Sequence, residues 1–419
     1  MLAPLIALPH LRQQLPFDLA WLPRQAYLVG GAVRDQVLGR RRDYLDWDFV
    51  VPDHAIKTAR AIAEHYGAGF VVLDKTREIA RVVFPQGTVD FALQEGQTLE
   101  QDLRRRDFTI NAIAYNLHQD QLVDPLQGVE DIHRGVLTMI SAANLADDPL
   151  RLLRAYRQAA QLQFTIEPTT RATLQDLARL IKTVAAERVQ SELSYLLASP
   201  RGNSWLLAAW QDGLITPWFP QAHLGTFHRL CQIDLALGNI KGQLTLGDRL
   251  KFLQLLGKKG TIKAKLACLV TQEPEIAEKE LETLKYSRQE VRAVGTILRC
   301  YPYLTQKDFS QNLRQQYFFF QEIGKFLPIF SLFALVKSPE QAIVFELLHR
   351  YLKDNDPVAH PQPLLNGKEL IEHLQLKPSP LIGKLLTEIQ VARIEGKIHS
   401  LPEALDYAKR LLSSANNEN

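Results

Sequence analysis

Two carboxylates separated by one residue stand at the start of an apolar run. Asp46 and Asp48 flank Trp47 and precede Phe49-Val50-Val51, which the sequence predicts to be a strand. Residues i and i+2 of a strand point to the same side of a sheet, so both carboxylates would lie on one face. Such a like-charge pair is unfavourable unless a cation lies beside it, and hard oxygen ligands suit Mg²⁺. An ordinary acidic turn before a strand is the alternative interpretation.

A glycine pair and an arginine precede the carboxylates. Gly30 and Gly31 lie between a predicted strand and a predicted helix, and Arg34 follows near the start of that helix. Glycine lets the backbone approach a ligand closely, and the free N–H groups at a helix start can bind phosphate. A plain strand-to-helix turn would use the same residues. Together with Asp90 in a later predicted strand, a phosphate cradle beside two or three carboxylates is typical of metal-dependent nucleotidyl transfer.

The elements that must position these residues occupy the first third of the chain. Between residues 27 and 116, short β-rich runs alternate with helical runs, which indicates a small α+β domain. After about Met139, leucine, alanine, glutamine and arginine dominate, and apolar residues recur at helical spacing. The predicted strands are Tyr27–Gly30, Trp47–Val51, Phe70–Asp74, Ala80–Phe84 and Val89–Leu93, and the predicted helices are Ala32–Gly39 and His54–Gly67.

The overall composition is that of an average globular protein. The 419 residues are 46% hydrophobic and 23% charged, and 49 basic against 46 acidic residues give a net charge of +3. These values exclude a disordered, collagenous or disulfide-scaffold chain, while a nearly balanced charge neither favours nor excludes nucleic acid. The three cysteines are widely spaced and form no CxxC motif, which disfavours a zinc site and favours a reducing compartment.

Two apolar segments bear on localisation. The leucine-rich N-terminus, residues 1–15, lacks a basic start and is interpreted as a packed amphipathic segment rather than a signal peptide. The longest apolar stretch, Phe326–Val336, is too short to span a bilayer, which needs about 20 residues. The sequence therefore predicts a cytoplasmic protein that does not act at a membrane.

Five motifs in order carry a resemblance to a known family. Residues Gly30–Asp48, GGAVRDQVLGRRRDYLDWD, resemble the signature of class II tRNA nucleotidyltransferases and bacterial poly(A) polymerases, in the polymerase-β superfamily. The segment Asn366–Ile389 also resembles the family's bacterial C-terminal region, whereas residues 200–360 show only generic helical character. The other matching motifs are Arg105–Ala114, Asp124–Leu137, the nucleotide-reading motif Asp147–Arg157, and Glu187–Leu193.

The resemblance implies a fold and a domain organisation. The fold would be an α+β N-terminal nucleotidyltransferase head, a small mixed sheet of five-stranded type with helices, followed by an all-α neck, body and tail. The head would span residues 1–138, and a helical neck that carries the nucleotide-reading motif would span 139–200. A helical body would span 201–355, and a helical tail at 356–419 would be a candidate for tRNA binding.

The resemblance also implies roles for individual residues. Asp46 and Asp48 would be catalytic and would hold Mg²⁺, and Asp90 would be a third catalytic carboxylate, with a strand-edge aspartate as the alternative. Asp107 and Asn111 would brace the loop of the second motif. The implied nucleotide-binding residues are Gly30, Gly31, Arg34, Arg106, Asp148, Arg151, Arg154 and Arg157.

The nucleotide-reading motif also has a physical interpretation of its own. Asp148 before Pro149 is a typical helix start with aspartate as N-cap, and capping is the alternative to a functional role. A carboxylate can accept from cytosine N4 and a guanidinium can donate to N3 and O2, so Asp148 and Arg151 fit a cytosine edge. The resemblance assigns base reading to this pair, and Arg154 and Arg157 would support the base and phosphates. Turned, the same pair accepts adenine, so the motif alone leaves C and A addition open.

Two departures from the family pattern bear on the reaction. Asp147 stands where the family usually has glutamate, and the shorter side chain predicts a looser interaction with Arg151. Only Gln94–Arg104 connects the last predicted strand to the second motif. Full CCA-adding enzymes usually carry a longer flexible segment there, which lets the pocket switch from CTP to ATP, and CC-adding relatives lack it. The short connection favours addition of two cytidines, with a shorter but competent segment in a full CCA enzyme as the alternative.

The resulting prediction is a template-independent tRNA nucleotidyltransferase that adds CMP from CTP to tRNA 3′ ends and releases pyrophosphate. Its partners would be tRNA, CTP and, if it completes the CCA end, ATP; a separate A-adding enzyme would act on a CC-ended product. The alternatives are a full CCA-adding or A-adding enzyme, a poly(A) polymerase and, remotely, a non-catalytic RNA-binding protein. Candidates for contact with the tRNA backbone, which solvated helix faces explain equally well, are Lys251, Lys258, Lys259, Lys263, Lys265, Arg288 and Arg292.

Overall fold

The computed structural model describes residues 10–40, 44–338 and 341–417. The chain divides into two compact units, Met1–Leu214 and Ile215–Asn419. The amphipathic segment expected at the N-terminus lies outside the described residues up to residue 9, and its end forms the short helix His10–Gln14. The four-domain division implied by the resemblance stays a prediction.

A mixed seven-stranded sheet dominates the N-terminal part of the first unit. Its strands, in chain order, are β1 (Tyr27–Val29), β2 (Leu45–Val51), β3 (Gly69–Asp74), β4 (Ile79–Phe84), β5 (Gly87–Leu93), β6 (Ala114–Asn116) and β7 (Gln121–Val123). The first five confirm the strands predicted from the sequence. The expected five-stranded sheet is therefore corrected to seven, because β6 and β7 are three residues each, too short to show a period of two.

The strand order is β3-β4-β5-β2-β1-β6-β7. Strands β2 and β5 are parallel, and all other neighbours in this sheet are antiparallel. A second, two-stranded parallel sheet consists of β8 (Val136–Leu137) and β9 (Thr165–Ile166). The central position of β2 matters for function, because a central strand is held on both edges and can present its side chains in a fixed direction.

Helices complete the first unit. The α-helices are α1 (His10–Gln14), α2 (Gly31–Val37), α3 (Ala55–Tyr66), α4 (Leu99–Arg104), α5 (Gly128–Arg134), α6 (Ala142–Asp147), α7 (Leu150–Leu162), α8 (Pro168–Asp176), α9 (Ala186–Ala198) and α10 (Gly202–Gln211). Short 3₁₀ helices lie at Leu19–Trp21, Thr109–Asn111 and Ala178–Thr183. Helices α2 and α3 confirm the two helices predicted in the head.

The two faces of the sheet differ in what covers them. On one face, Trp47 and Phe49 of β2 are buried, and the Phe49 ring stacks on Phe91 of β5 with ring centroids 5.5 Å apart. Helix α3 packs against β4 and β5. The alternate residues of β2, Asp46 and Asp48, are exposed on the other face. The aromatic core therefore anchors β2 from behind and leaves its acidic side chains accessible.

In its described residues, the second unit consists of helices and the loops that connect them, without strands. Its α-helices are α11 (Leu224–Gln243), α12 (Leu246–Leu256), α13 (Gly260–Leu269), α14 (Pro274–Thr283), α15 (Arg288–Cys300), α16 (Leu313–Ile323), α17 (Leu327–Lys337), α18 (Gln341–Leu352), α19 (Gly367–Leu374), α20 (Pro380–Ile394) and α21 (Leu401–Asn417). The 3₁₀ helices are Tyr301–Thr305 and Gly324–Phe326. The three cysteines, which all lie in this unit, are free.

One stretch of the second unit, Leu313–Lys337, is long and apolar enough to cross a membrane by length and composition. It is longer than the apolar segment Phe326–Val336 seen in the sequence, because a short 3₁₀ helix joins α16 to α17. Of its most apolar window, 72% is buried inside the protein. Phe330 and Phe333 of α17 are fully buried. This stretch is therefore a core element of the helical unit.

Candidate active site

The carboxylates predicted to bind metal lie side by side on the open face of the sheet. In the parallel pairing of β2 with β5, Asp48 is directly opposite Asp90, and Asp46 is opposite Thr88. The Thr88 hydroxyl donates a 3.2 Å hydrogen bond to Oδ1 of Asp46. Paired residues of neighbouring strands point to the same side, so three acidic side chains share this face.

The neighbouring carboxylates and burial change the pKa of Asp48. It is accessible to solvent, yet surrounding protein atoms remove much of its hydration. This desolvation, with the negative charges of Asp90 and Asp46, raises the pKa of Asp48 from 3.8 to about 6, against the opposing charges of Arg106 and Arg81. A carboxylate that loses water beside two other carboxylates is unfavourable in its charged form. A cation placed among these oxygens would relieve that cost.

Asp90 has a cation already. Arg81 of β4 donates from Nε to Oδ1 of Asp90 at 2.7 Å and from Nη2 to Oδ2 at 2.8 Å, a two-pronged pair. Arg81 is the residue directly opposite Asp90 in the antiparallel pairing of β4 with β5. The structure thus brings Asp90 beside Asp48, as expected, and engages both of its oxygens with Arg81. The predicted role of Asp90 as a third catalytic carboxylate stays a prediction.

The glycine turn lies against an arginine of the second motif. Gly30 has φ +71°, in the left-handed region that favours glycine, and a side chain there would meet Nη1 of Arg106 at 3.3 Å. Arg106 donates from Nη2 to Oδ2 of Asp102 at 3.3 Å. Its Nε is buried and has no hydrogen-bond partner among the described residues. Arg106 therefore carries a buried, unpaired N–H on a guanidinium that reaches Gly30, and a phosphate oxygen would satisfy that N–H.

Arg34 belongs to a buried network. It donates from Nη1 to Oδ1 of Asn111 at 2.7 Å and pairs through Nη2 with Asp35 at 2.8 Å. Asn111 in turn donates to Asp107 at 2.8 Å and to Gln158 of α7 at 3.0 Å. Asp107 and Asn111 therefore brace the loop of the second motif, as predicted. Arg34 is 7% exposed, and its contact with the triphosphate stays a prediction.

Asp107 links this loop to the arginines of α7. Its Oδ2 accepts a hydrogen bond of 3.1 Å from Nε of Arg154. Burial alone would raise the pKa of Asp107, but the charge of Arg154 and the hydrogen bonds from Asn111 and the Phe108 amide hold it below its ordinary value. A charged aspartate thus fixes the direction of Arg154.

An open cavity of about 760 Å³ lies next to Asp46. Its volume is within the range of small-ligand sites. Arg157 pairs with Glu192 of α9, and its guanidinium lies over the ring of Tyr195 at 5.7 Å from the ring centroid. The residues that line the cavity are Arg34, Asp35, Arg40, Asp46, Arg154, Arg157, Gln161, Leu162, Glu192 and Tyr195. The structure therefore brings three predicted nucleotide-binding arginines and one predicted metal ligand to a single cavity.

Asp148 and Arg151 lie at the start of α7 but are not held as a capping motif predicts. The Asp148 carboxylate accepts a 2.9 Å hydrogen bond from Nη2 of Arg188. No side chain caps the start of α7, so the alternative interpretation of Asp148 as an N-cap is wrong. Arg151 donates from Nη1 to the backbone carbonyls of Arg105 and Asn144, each at 2.9 Å. Desolvation lowers the pKa of Arg151, partly offset by the charges of Asp107 and Asp148. Asp147, which was predicted to interact loosely with Arg151, is exposed at the end of α6. The hydrogen bonds that hold Arg151 go to the two backbone carbonyls.

The connection from β5 to the second motif is short and folded. After β5 ends at Leu93, helix α4 begins within six residues, with Thr98 as N-cap. Asp102 of α4 is buried and accepts hydrogen bonds from the Glu95 amide at 3.0 Å and from Arg106 at 3.3 Å. Glu95 pairs with Arg105 at 2.6 Å. The connection is therefore tied at its beginning and at its end to the residues of the second motif.

Sequence reasoning missed several residues that shape the site. Glu192 is 6% exposed at a position that faces α7, and a buried acidic residue inside a matched motif was a signal. Arg81 was detectable too, because the turn at Pro85–Gly87 folds β4 onto β5 and places residue 81 opposite Asp90. Asp102 was detectable as an aspartate four residues before Arg106, which it binds. Asn144 left no sequence signal, since it donates to the backbone carbonyls of Arg104 and Arg106, whose position only the fold sets.

The basic residues predicted to contact the tRNA backbone differ in accessibility. Lys258 and Arg292 are exposed. Lys265 is 3% exposed and pairs with Asp234 at 3.0 Å, so its proposed contact with tRNA is wrong because the ammonium group is buried. Lys251 pairs with Asp354. The exposed candidates remain predictions.

The donor set on β2 fits a hard divalent cation. Two exposed carboxylates on one face, one of them with a raised pKa, provide the oxygen ligands that Mg²⁺ prefers. Across residues 10–40, 44–338 and 341–417, no group of three or more His, Cys, Asp or Glu side chains is arranged to hold a metal ion. Mg²⁺ commonly completes its shell with substrate phosphates and water, so two carboxylates suffice.

The sheet, the paired aspartates of its central strand, the glycine turn and the arginine-lined cavity together define a nucleotidyltransferase of the polymerase-β class. Residues 26–138 match the family model of the poly(A) polymerase head domain. Residues 163–224 match a probable RNA- and SrmB-binding site of polymerase A, and residues 257–408 match a putative second domain of tRNA nucleotidyltransferases.

Comparison with individual proteins narrows this class. The chain is 63% identical over 413 residues to a CC-adding tRNA nucleotidyltransferase of Synechocystis sp., covering 98% of this chain and 99% of that one. It is 31% identical to an A-adding tRNA nucleotidyltransferase of Deinococcus radiodurans, covering 93% and 96% of the two chains. A solved CCA-adding enzyme in complex with CTP has the same fold, with a TM-score of 0.71, 22% identity, and coverage of 92% and 91%.

The chain belongs to the tRNA nucleotidyltransferase family, in the class II branch that shares the poly(A) polymerase head. It is an enzyme, and the nucleotidyltransferases of this family are generally metal-dependent.

Proposed function

We propose that this enzyme adds two cytidines to the 3′ end of tRNA and then stops. The observation that carries this proposal is the short connection of residues 94–104, folded into α4 and tied by Asp102 to Arg106. A change from CTP to ATP requires an element with two arrangements that can re-aim the base-reading pair. A connection tied at both ends lacks that freedom. The 63% identity to a CC-adding enzyme supports the same conclusion.

In the proposed reaction, the 3′-hydroxyl oxygen of tRNA bonds to the α-phosphorus of CTP while the bond from that phosphorus to the oxygen bridging the α- and β-phosphates breaks. Pyrophosphate leaves with that oxygen, and the hydroxyl proton passes to solvent. Asp46 and Asp48 would hold Mg²⁺, which would stabilise the charge on the transferring phosphate and the leaving group. The unpaired Nε of Arg106, beside Gly30, would donate to the triphosphate. The arginines of α7 would keep the nucleotide in the cavity beside Asp46.

Choice of the base would rest on Asp148 and Arg151. Nη1 of Arg151 is committed to the carbonyls of Arg105 and Asn144, which fixes the plane of the guanidinium and leaves Nε and Nη2 as donors for cytosine N3 and O2. Asp148 is partly committed to Arg188 and retains Oδ1 as an acceptor for the N4 amino group. This arrangement reads a base without a nucleic-acid template, by the same edge pattern that proteins use in duplexes.

The test is addition to defined tRNA ends. CTP and ATP are supplied together with tRNA lacking CCA, with tRNA ending in CC and with an unrelated RNA, and products are resolved at single-nucleotide resolution. We expect a product that halts at CC and is extended only when an A-adding enzyme is supplied. Rapid accumulation of CCA-ended product would overturn the two-cytidine limit and leave a full CCA-adding enzyme. Equal extension of the unrelated RNA would favour a poly(A) polymerase.

We also propose that the enzyme works in the cytoplasm, where its tRNA substrates are. Burial of the apolar stretch Leu313–Lys337 in the helical unit supports this, because that stretch is occupied as protein core. Cell fractionation checks the proposal: the protein should stay in the supernatant after membranes are pelleted at moderate salt. Recovery in the membrane pellet that only detergent releases would contradict it.

A further inference from the structure

The pair of Arg81 and Asp90 lies beside the metal-ligand carboxylates and has no part in the reaction described so far. Arg81 uses Nε and Nη2 on the two oxygens of Asp90. Its Nη1 has no hydrogen-bond partner in the part of the chain that the structure describes. The side chain is 38% exposed. One edge of the guanidinium is thus anchored, and the opposite edge keeps free donors that face no protein acceptor.

The position of Arg81 in the sheet sets which part of the substrate it can meet. Strand pairing places Arg81, Asp90 and Asp48 in one row across β4, β5 and β2. Two strand spacings separate the backbones of Arg81 and Asp48, about 10 Å. Gly30 follows the end of β1, the neighbour of β2 on its other side, and a side chain at Gly30 would meet Arg106. Arg81 and the triphosphate cradle therefore flank the carboxylates from opposite sides.

In-line phosphoryl transfer requires that the nucleophile and the leaving group lie on opposite sides of the phosphorus. The attacking and leaving oxygens lie roughly in line with the phosphorus, so the nucleophile enters from the side opposite the leaving pyrophosphate. If the triphosphate occupies the side of Gly30 and Arg106, the tRNA 3′ end arrives from the side of β5 and β4. Its last phosphates then pass over Arg81, an exposed cation on that side whose pairing with Asp90 leaves Nη1 free.

The surface around Arg81 suits a nucleic-acid strand. Val71 of β3 is directly opposite Arg81, and Val83 lies two residues further along β4 on the same face. Both are exposed, at 48% and 39%. Arg81, flanked by these two accessible apolar side chains, offers a charge for a phosphate and an apolar surface for the adjoining ribose or base. Guanidinium groups match phosphate oxygens in a forked geometry.

We propose that Arg81 binds a backbone phosphate within the last two nucleotides of the tRNA acceptor strand, and that Asp90 is the residue that positions it. The inference rests on the proposed function, because it concerns the tRNA strand that is extended. Asp90 fixes the guanidinium in the plane of the fork, so its free edge is aimed before tRNA arrives. Such preorganisation lowers the entropic cost of the contact.

The first experiment compares Arg81→Ala with a matched control, Arg77→Ala, whose exposed side chain lies in the turn between the same two strands. For Arg81→Ala, we expect kcat/KM for tRNA lacking CCA to fall roughly tenfold to thirtyfold, the size of one charge-assisted contact, with KM for CTP within about twofold. Arg77→Ala should stay within about twofold of wild type. Arg81→Lys, which keeps the charge and loses the fork, should recover only part of the loss. Equal losses for tRNA and CTP would mean a merely structural role and would overturn the proposal.

The second experiment identifies the phosphate. A neutral methylphosphonate replaces, one at a time, each of the last two linkages of the acceptor strand. At one position the wild-type enzyme should lose about as much as Arg81→Ala loses with ordinary tRNA, while Arg81→Ala should lose almost nothing further. Additive losses at both positions would overturn the contact. Wild-type enzyme that fails to extend ordinary tRNA would instead sink the proposed function, so the two failures are distinct.

The third experiment tests the position of Asp90. Asp90→Asn disturbs the fork without removing volume, so it should raise KM for tRNA, and combining it with Arg81→Ala should be no worse than Arg81→Ala alone. Binding of Mn²⁺ to the RNA-free protein, measured by paramagnetic resonance, should change little. A large loss of Mn²⁺ affinity, with kcat abolished irrespective of Arg81, would make Asp90 a metal ligand and overturn its positioning role.

Discussion

The two compact units place their charged residues differently. In the first unit, several ion pairs join residues far apart in the sequence and bury at least one partner, as in the pair of Arg157 and Glu192, with side chains 16% and 8% exposed. In the second unit, many ion pairs are open to solvent, as in Arg314 and Glu388, 43% and 33% exposed. Its core is formed instead by apolar helix faces such as that of α17.

The difference teaches where fixed geometry is needed. A buried charge pair fixes the direction of each side chain, but it costs desolvation and adds little net stability. Their fixed direction is useful where the nucleotide must be held so that the attacking hydroxyl lies in line with the α-phosphorus and the leaving group. Exposed pairs contribute little and tolerate change. The exposed lysines of the second unit that are predicted to contact the tRNA backbone would position it without reading sequence, and we expect their charge to matter more than a fixed side-chain direction.

The largest effect should come from the metal-ligand carboxylates. Asp46→Ala or Asp48→Ala should lower nucleotide addition by about a thousandfold or more, since loss of a metal costs several kcal/mol of transition-state stabilisation. Tritium- or phosphorus-labelled CTP incorporation measures it, with Asp53→Ala, an exposed aspartate just after β2, as the control. Near wild-type turnover of either variant in Mg²⁺ would refute the metal assignment, provided that circular dichroism shows an intact fold.

The contrast between buried and exposed pairs can be measured directly by urea denaturation. Glu192→Ala removes the partner of Arg157 and leaves a largely buried charge uncompensated, so the free energy of unfolding should fall by about 2–3 kcal/mol. Glu388→Ala, which breaks the exposed pair with Arg314, should cost less than about 1 kcal/mol. Equal losses for the two variants would erase the distinction between the units.

The next largest effect should be on the choice of nucleotide. Asp148→Ala or Arg151→Ala should lower the preference for CTP over UTP and ATP by about tenfold or more, because a polar edge left unpaired discriminates strongly. The KM for CTP should change less than the preference does. Relative incorporation of the three nucleotides on tRNA lacking CCA decides the matter. Unchanged preference in both variants would move base reading to the residues that line the cavity beside Asp46.

A smaller effect should appear in stability without metal. The pKa of Asp48 is raised from 3.8 to about 6, so its charge destabilises the folded protein, increasingly as the pH rises from about 4 to 6 and fully above that. Asp48→Asn should therefore stabilise the metal-free protein at pH 7.5 by about 1 kcal/mol, less than the full shift implies because solvent screens this accessible group. At pH 4 the gain should vanish. Thermal unfolding in EDTA measures both, and a gain that persists at pH 4 would point to another cause.

The smallest effect concerns the helical unit. Lys258→Ala removes an exposed charge and should weaken tRNA binding by about twofold, with a shallower dependence of affinity on salt. Lys265→Ala removes a buried ammonium paired with Asp234, so it should lower stability and leave the salt dependence unchanged. Fluorescence anisotropy with labelled tRNA at several salt concentrations separates the two. A steeper loss for Lys265 than for Lys258 in tRNA affinity would reverse this assignment.

Much of the first unit could be predicted because its signals are local. The alternation of Asp46 and Asp48 with buried aromatic residues predicted one acidic face of β2, and the structure confirms it. Glycine at position 30 predicted a close approach of the backbone to another group, and a side chain there would meet Nη1 of Arg106 at 3.3 Å. Strands of three residues, such as β6, carry no period, so the sheet was predicted two strands too narrow.

What could not be predicted depends on contacts distant in the sequence. The partner of Asp148 is Arg188, 40 residues away on a different helix, and this contact defeats the local preference for an N-cap. The carbonyls that hold Arg151 belong to Arg105 and Asn144, and backbone oxygens have no residue signature. In the second unit, an amphipathic pattern predicts helices but does not reveal that Lys265 is buried.

The outer strand of the sheet affects how readily the protein associates with itself. Strand β3 is the edge of the seven-stranded sheet, and Val71, Val72 and Leu73 are 48%, 39% and 47% exposed. An apolar edge with free backbone groups is a template for pairing with another chain, and hence for aggregation. Asp74 and Lys75 follow at once, and charges in such flanking positions act as gatekeepers. Self-association at high concentration should therefore grow when these two charges are removed and shrink when nucleic acid is added.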